Sequence, residues 1–363
     1  MIAMEGTSAP RNSAGSKPTA AWFCAYTPIE VLTAAGLEPV RLFGKPGNSE
    51  SADSILGTNI CPYVRACLEQ GLAGEAPGTV VFAGCCDSMR RLYDAWSFYC
   101  HPEFAYAMDV PRSTSDTSLQ LYRAAIADLV LSLERFTGTE IGSDALASAI
   151  FHRSSADATL ARLSPTDNRG LSMGSEEYLG LFIDAQTAPP EDFIRRWDVR
   201  SREEQAGGPG GSRKAVIVTG NLIRPGKLLE VIDGCGGTVA SLDLCSAERY
   251  LTWDEAALER IRDLSRDDML DELSRRYLMR TPCPRMLNGA ERHERLTEDV
   301  ARLEARGVVI VPLMFCDPFL YDLPSLEKHL DAAGIPSLVL QSDYQDENVG
   351  QLTTRIEAFM EMI

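Results

Sequence analysis

Short, wholly apolar runs alternate with amphipathic stretches over most of the chain, the pattern of buried parallel strands joined by helices. The segment AAWFCAYTPIEVLTAAGLEPVRLFG (Ala20–Gly44) reads as strand, loop, helix and strand. Trp22–Ala25 is the apolar run. Thr27 suits a helix cap, with Pro28 at the first helical position and Glu30 in the first turn. Gly36 stops that helix, and Pro39–Phe43 returns as a strand. KPGNSESADSILGTN (Lys45–Asn59) is polar and turn-rich and reads as a loop. Cys61-Pro62 then opens the helical pattern CPYVRACLEQGLAG, Thr79–Ala83 is a strand, and Asp87–Tyr99 is helical again. From about Ser115 to Glu204 the pattern is helical throughout, with no strand. SREEQAGGPGGSRK (Ser201–Lys214) is the best linker in the chain.

A second αβ alternation follows. Ala215–Gly220, TVASLDL (Thr238–Leu244), GVVIVPLMF (Gly307–Phe315) and IPSLVLQSD (Ile335–Asp343) read as strands. GKLLEVIDG, Thr252–Tyr277, LTEDVARLEARG, LPSLEKHLDAAG and TTRIEAFMEMI read as helices between and after them. The expected fold class is α/β: two doubly wound, Rossmann or flavodoxin-like domains with parallel sheets plus a helical segment. The expected organisation is a disordered tail at 1–20, an N-terminal α/β domain at 21–114, a helical segment packed on it at 115–204, a linker at 205–214 and a C-terminal α/β domain at 215–363.

Two distant strands each run into a cysteine and an acid: VVFAGCCDSM (Val80–Met89) and VVIVPLMFCDPFLYD (Val308–Asp322). In open α/β sheets ligands bind outside the carboxyl ends of the strands, so two such domains facing each other would bring Cys86 and Cys316 together. The chain has ten cysteines in 363 residues, without the dense framework of a disulfide-rich secreted domain. The simplest role for any one of them is that of a small buried hydrophobe. No GxxxxGK[ST], GxGxxG or CxxC motif occurs, and the four histidines are scattered. What remains is a dispersed thiol set, Cys61, Cys67, Cys85, Cys86 and Cys316, whose soft ligands suit zinc or an iron–sulfur cluster. The net charge of −17 argues against a nucleic-acid partner. No apolar run is long enough for a membrane helix, and the first twenty residues lack the apolar core of a secretory signal. A cytoplasmic protein is expected.

Taken in order, WFCAYTPIEVLTAAGLEPVRLFG, CPYVRACLEQGL, VVFAGCCDSMRRLYDAW, TGNLIRPGKLLEVIDGCGGTVASLDLC, RYLMRTPCPRM, MFCDPFLYDLPSLEKHLDAAGIPSLVLQSD and QLTTRIEAFMEM resemble the 2-hydroxyacyl-CoA dehydratase and benzoyl-CoA reductase subunits, of the 2-hydroxyglutaryl-CoA dehydratase D-component type. The resemblance runs over nearly the whole chain from about Ala21. It implies a 4Fe–4S cluster between the two domains, held by three thiolates that carry over to Cys61, Cys86 and Cys316, with one iron left open. It implies a homologous second subunit in a heterodimer and a small ATP-dependent iron–sulfur activator that delivers a low-potential electron. The acyl-CoA thioester accepts that electron and expels hydroxide, leaving an enoyl-CoA. Glu30 is the candidate catalytic contact with substrate, with a plain helix N-terminal role as its alternative. Asp87 and Asp317 are expected to cap the helices that follow them. Arg41, Arg65, Arg90 and Arg91 are candidates for coenzyme A phosphates, with a solvated surface role as the default.

Cys85 and Cys67 are extra to the pattern. Strand alternation would turn Cys85 and Cys86 to opposite faces, leaving Cys85 as a core thiol, a substitute ligand or part of a larger, double-cubane (8Fe–9S) cluster. The alternatives to the dehydratase are a benzoyl-CoA-type or double-cubane reductase, or a non-catalytic electron-relay subunit.

Overall fold

The computed structural model describes residues 17–163, 173–203, 213–251, 261, 263–344 and 349–363. Four short strands, β1 (Thr19–Trp22), β2 (Glu38–Arg41), β3 (Thr79–Ala83) and β4 (Phe104–Met108), form an all-parallel sheet in the order β2-β1-β3-β4. A second parallel sheet is built from β5 (Lys214–Gly220), β6 (Gly237–Asp243), β7 (Gly307–Val311) and β8 (Ser337–Val339), in the order β6-β5-β7-β8. The two sheets repeat one topology. In each, the first strand is central and the order reverses between the first and third strands. Every residue of β3 and of β7 is buried, as a parallel strand covered on both faces requires.

The chain divides into two compact units. Met1–Ala158, Gln186–Phe193 and Thr252–Arg280 make the first, and Thr159–Ala185, Ile194–Leu251 and Thr281–Ile363 the second. Helices α1 (Ile29–Ala34), α2 (Glu50–Leu56), α3 (Pro62–Leu72) and α4 (Asp87–Tyr99) connect the strands of the first sheet. Between Asp116 and Glu203 lie α5 (Asp116–Thr137), α6 (Ser143–Leu163), α7 (Ser175–Thr187) and α8 (Pro190–Glu203), with no strand among the described residues. Of these, α5 and most of α6 count with the first unit and most of α7 with the second. The remaining helices are α9 (Lys227–Gly234), α10 (Arg266–Leu278), α11 (Gly289–Arg302), α12 (Asp317–Ala332) and α13 (Val349–Met362). Of the expected tail, 1–16 lie outside the described residues, and β1 opens at Thr19; of the expected linker, 204–212 lie outside, and Lys214 opens β5.

Two local expectations are corrected, and one strand that the sequence analysis leaves unassigned is added. The polar stretch after β2 contains the helix α2 rather than only loop. Its folding is tertiary: Glu69 of α3 accepts from the Ala52 N–H at 2.9 Å, and Arg65 pairs with Asp53 at 2.6 Å. The run FAYAM forms the fourth strand of the first sheet. Thr27 does not cap α1; Pro28 occupies the N-cap position, and the buried Thr27 hydroxyl has no hydrogen-bond partner among the described residues.

Packing then fixes where the strand ends point. Phe23, Phe82 and Trp96 stack behind the first sheet, with Phe23 and Phe82 centroids 4.8 Å apart. A Cβ on Gly71 would stand 2.7 Å from the Trp96 ring, so α3 and α4 meet at a contact that only glycine permits. In the second unit Phe319, Leu326 and Leu330 of α12 pack with Val308 and Ile310 of β7 and Leu296 of α11, all nearly inaccessible. Burial of such side chains stabilises by roughly 1.5–3 kcal/mol each and seats the start of α12 against the sheet.

Candidate functional site: cysteines at three helix starts

The strands stop short of the cysteines. β3 ends at Ala83 and β7 at Val311, and each then turns into the helix that follows. Cys61, Cys86 and Cys316 are the N-cap residues of α3, α4 and α12, and none of the three helices has a side-chain cap hydrogen bond. Serine, threonine or aspartate would ordinarily stand there and satisfy the first backbone N–H groups. A cysteine leaves those donors and the positive end of the helix dipole without that partner, a setting that favours a bound anion. Asp87 and Asp317 are therefore not caps. Each is the first helical residue, one position inside the cap, where its charge complements the dipole.

In the first unit, burial pushes the Cys61 thiol up to about 12, with neighbouring Cys86 adding to the rise. A metal at Cys61 must displace that proton. Cys85 is buried and hydrogen-bonds to Cys24 and Cys86; those bonds, then burial, hold its thiol well above the ordinary value. Cys85 and Cys86 both lie in the turn beyond β3, where Cys85 N–H bonds back to Ala83 O at 2.7 Å, so strand alternation does not set their faces. Cys67 is fully buried, with its sulfur 3.9 Å from Leu42 O, and is a core thiol.

In the second unit the turn before Cys316 is held from β5. Asn221, just past the end of β5, donates from Nδ2 to Cys316 Sγ at 3.0 Å and accepts the Leu313 N–H on Oδ1 at 3.0 Å. Phe315 adopts φ 57°, a left-handed conformation that is costly for a bulky residue. Such strain marks a turn over-determined by its surroundings. The same unit also holds a buried charge network. Arg249 donates to Gly220 O and lies 3.5 Å from Asp243. Arg292, fully buried, pairs with Asp322 of α12 and lies 3.7 Å from Asp243. His293 reaches Asp322 at 3.0 Å. Burial alone would raise the Asp322 pKa; the His293 hydrogen bond and the Arg292 charge outweigh it and hold the carboxyl below its ordinary value.

Glu30 is fully buried in the first turn of α1. Tyr277 of α10 donates to its Oε2 at 2.8 Å and accepts the Ile29 N–H at 3.3 Å. Arg280 lies over the Tyr277 ring at 4.6 Å and over Tyr26 at 5.3 Å. The arginines divide. Arg41 is buried, donates to Phe23 O at 2.9 Å and Gln186 Oε1 at 2.6 Å, and stacks on Trp22, so it is neither solvated nor placed for a phosphate. Arg65 pairs with Asp53, while Arg90 and Arg91 form long, exposed pairs with Asp109 and Asp87.

The donor chemistry fits an iron–sulfur cluster: soft thiols at helix N-termini, one of them already receiving an N–H···S bond. Cys61 and Cys86 belong to the first unit and Cys316 to the second. Among the described residues no three His, Cys, Asp or Glu side chains are gathered into a metal-binding group. No helix among them is long and apolar enough to cross a membrane. The sequence does not point to Asn221 or Tyr277; the only signal for Asn221 is its place directly after a strand that proves to be central.

A family model described as the 2-hydroxyglutaryl-CoA dehydratase D-component matches residues 24–363. The putative dehydratase subunit YjiM of Escherichia coli (strain K12) is 25% identical over 95% of this chain and 91% of its own length. The (R)-phenyllactyl-CoA dehydratase beta subunit of Clostridium sporogenes is 24% identical over 93% of this chain and 90% of its own length. A benzoyl-CoA reductase subunit of Thauera aromatica is 22% identical over 93% of this chain and 88% of its own length. With its two like-ordered parallel sheets and a cysteine opening the helix after the third strand of each, the chain belongs to the 2-hydroxyacyl-CoA dehydratase and benzoyl-CoA reductase subunit family.

Proposed function

We propose that this chain is the iron–sulfur subunit of a radical 2-hydroxyacyl-CoA dehydratase, working in the cytoplasm with a homologous second subunit and an ATP-dependent iron–sulfur activator. Cys61, Cys86 and Cys316 are the three thiolates that hold a 4Fe–4S cluster. The observation that carries the reading is their common placement: all three are N-cap residues without a cap hydrogen bond. When bound, the cluster supplies a low-potential electron and an open iron acting as a Lewis acid.

The chain's own residues do the rest. The three helix starts offset the negative charge that gathers at the thiolates. Asn221 orients Cys316 and donates to its sulfur, which eases electron uptake. Glu30 is the acid–base group, its carboxylate fixed at Oε2 by the Tyr277 hydroxyl. Cys85, which hydrogen-bonds to Cys24 and Cys86, lies outside this three-thiolate set.

An acyl-CoA reductase is the second reading, favoured by the similar identity to the benzoyl-CoA reductase subunit. Incubating the anaerobic subunit pair with activator, ATP and 2-hydroxyacyl-CoA esters tests the choice. Enoyl-CoA formed without net consumption of reductant supports the dehydratase. Reduced product with stoichiometric reductant use assigns the reductase.

A further inference from the structure

The second unit contains a cavity of about 390 Å³ that the proposed cluster site does not use. Its walls come from the loop after β5 and the start of α9 (Ile223, Arg224, Gly226, Lys227, Leu228), the end of β7 and the turn after it (Val311, Met314) and the segment after β8 (Leu340–Tyr344), closed by the first turns of α13. β5 and β7 are neighbours, and the strand order reverses between them. The cavity therefore opens at the topological switch point, where parallel sheets bind ligands.

Its chemistry is specific. In a chain of net charge −17, three cations line this one cavity: Arg224, Lys227 and Arg355. Arg224 is propped 5.5 Å over the Tyr344 ring. Arg355 spends one donor on Val339 O at 2.7 Å, and a guanidinium carries five. Lys227 pairs with Glu230 at 2.7 Å, an exposed pair of little worth that a ligand can outcompete. Among the described residues of its lining one carboxylate, Asp343, follows β8, and Met314 and Leu340 give apolar surface.

We propose that this cavity binds a nucleoside phosphate: phosphate on Arg224, Lys227 and Arg355, a ribose hydroxyl on Asp343, and the base on Met314 and Leu340. Two sources carry that chemistry, the nucleotide end of coenzyme A and a free adenine nucleotide. Preference for coenzyme A rests on the acyl-CoA reading above; the cavity's selectivity for a nucleotide does not. Met314 lies on the same turn as Cys316, so an occupant touches the segment that presents that thiol.

Calorimetric titration of the full chain with coenzyme A, ATP, pantetheine and inorganic phosphate tests the assignment, against Arg224→Gln and Lys227→Gln. Lys227 is half exposed, so its variant retains the fold, which an unchanged unfolding midpoint verifies. The expected result is that coenzyme A or ATP binds more tightly than phosphate or pantetheine, with each substitution weakening it about tenfold or more. Whichever of the two binds more tightly identifies the source. Nucleotides binding no better than phosphate would overturn the proposal. Coenzyme A binding that is equal in the parent and both variants would also overturn it, while leaving the acyl-CoA reading intact.

Discussion

Asn221 does two jobs with one amide, and two substitutions separate them. Its Oδ1 accepts the N–H of Leu313, a residue only 1% exposed, and its Nδ2 donates to Cys316 Sγ. Asn221→Leu removes both. It leaves a buried backbone donor without its acceptor, a loss of about 1–3 kcal/mol, in a turn already strained at Phe315. Asn221→Asp keeps an acceptor for Leu313 but sets a carboxylate, in place of a donor, against the sulfur. Denaturant unfolding of the iron-free chain should show Asn221→Leu destabilised by that amount and Asn221→Asp by much less. Iron content after anaerobic reconstitution should fall in both, because the aspartate repels a thiolate ligand. If Asn221→Leu unfolds within about 0.5 kcal/mol of the parent, the bond to Leu313 is not holding the turn. If Asn221→Asp keeps all its iron, Cys316 does not act as a thiolate there.

Tyr277→Phe leaves the buried Glu30 carboxyl without its 2.8 Å donor and should cost about 1.5–3 kcal/mol in chemical unfolding; a loss near zero would mean that Glu30 is solvated or otherwise satisfied. The Asp322 carboxyl titrates below its ordinary value of 3.8, so it stabilises the fold above that pH, and the contribution fades as the pH falls through the depressed value. Asp322→Asn should therefore be less stable than the parent at neutral pH, with the gap closing below about pH 4; a gap that widens on acidification would contradict the assignment. Gly220→Ala would drive a Cβ into Val311 O at the β5–β7 junction. It should lower the thermal midpoint and cost about 1–3 kcal/mol, whereas an unchanged midpoint would show that the strand ends are free to part.

How much of this is legible in the sequence depends on the range of the interaction. The strands β3, β5 and β7 read out clearly because buried parallel strands are continuous apolar runs. The two Cys-Asp echoes are visible as sequence, but their meaning needs the topology: each follows the third strand of its own sheet and opens a helix. α2 reads as loop because its sequence is polar and its supports come from Arg65 and Glu69 on the next helix. Asn221 and Tyr277 escape a sequence reading because their partners lie 95 and 247 residues away, and no local pattern encodes such a pairing. The opposite-face argument for Cys85 and Cys86 assumes a strand where the chain has already turned. Arg41 reads as a surface cation because charge alone does not reveal a backbone carbonyl waiting in the core.

The most direct test of the central claim is iron and acid-labile sulfide per chain after anaerobic purification, compared across single cysteine variants. The account predicts about four irons in the parent, a marked loss in Cys61→Ser, Cys86→Ser and Cys316→Ser, and no loss in Cys67→Ser or Cys85→Ser. A parent without iron, or one whose iron survives all three ligand substitutions, would contradict it.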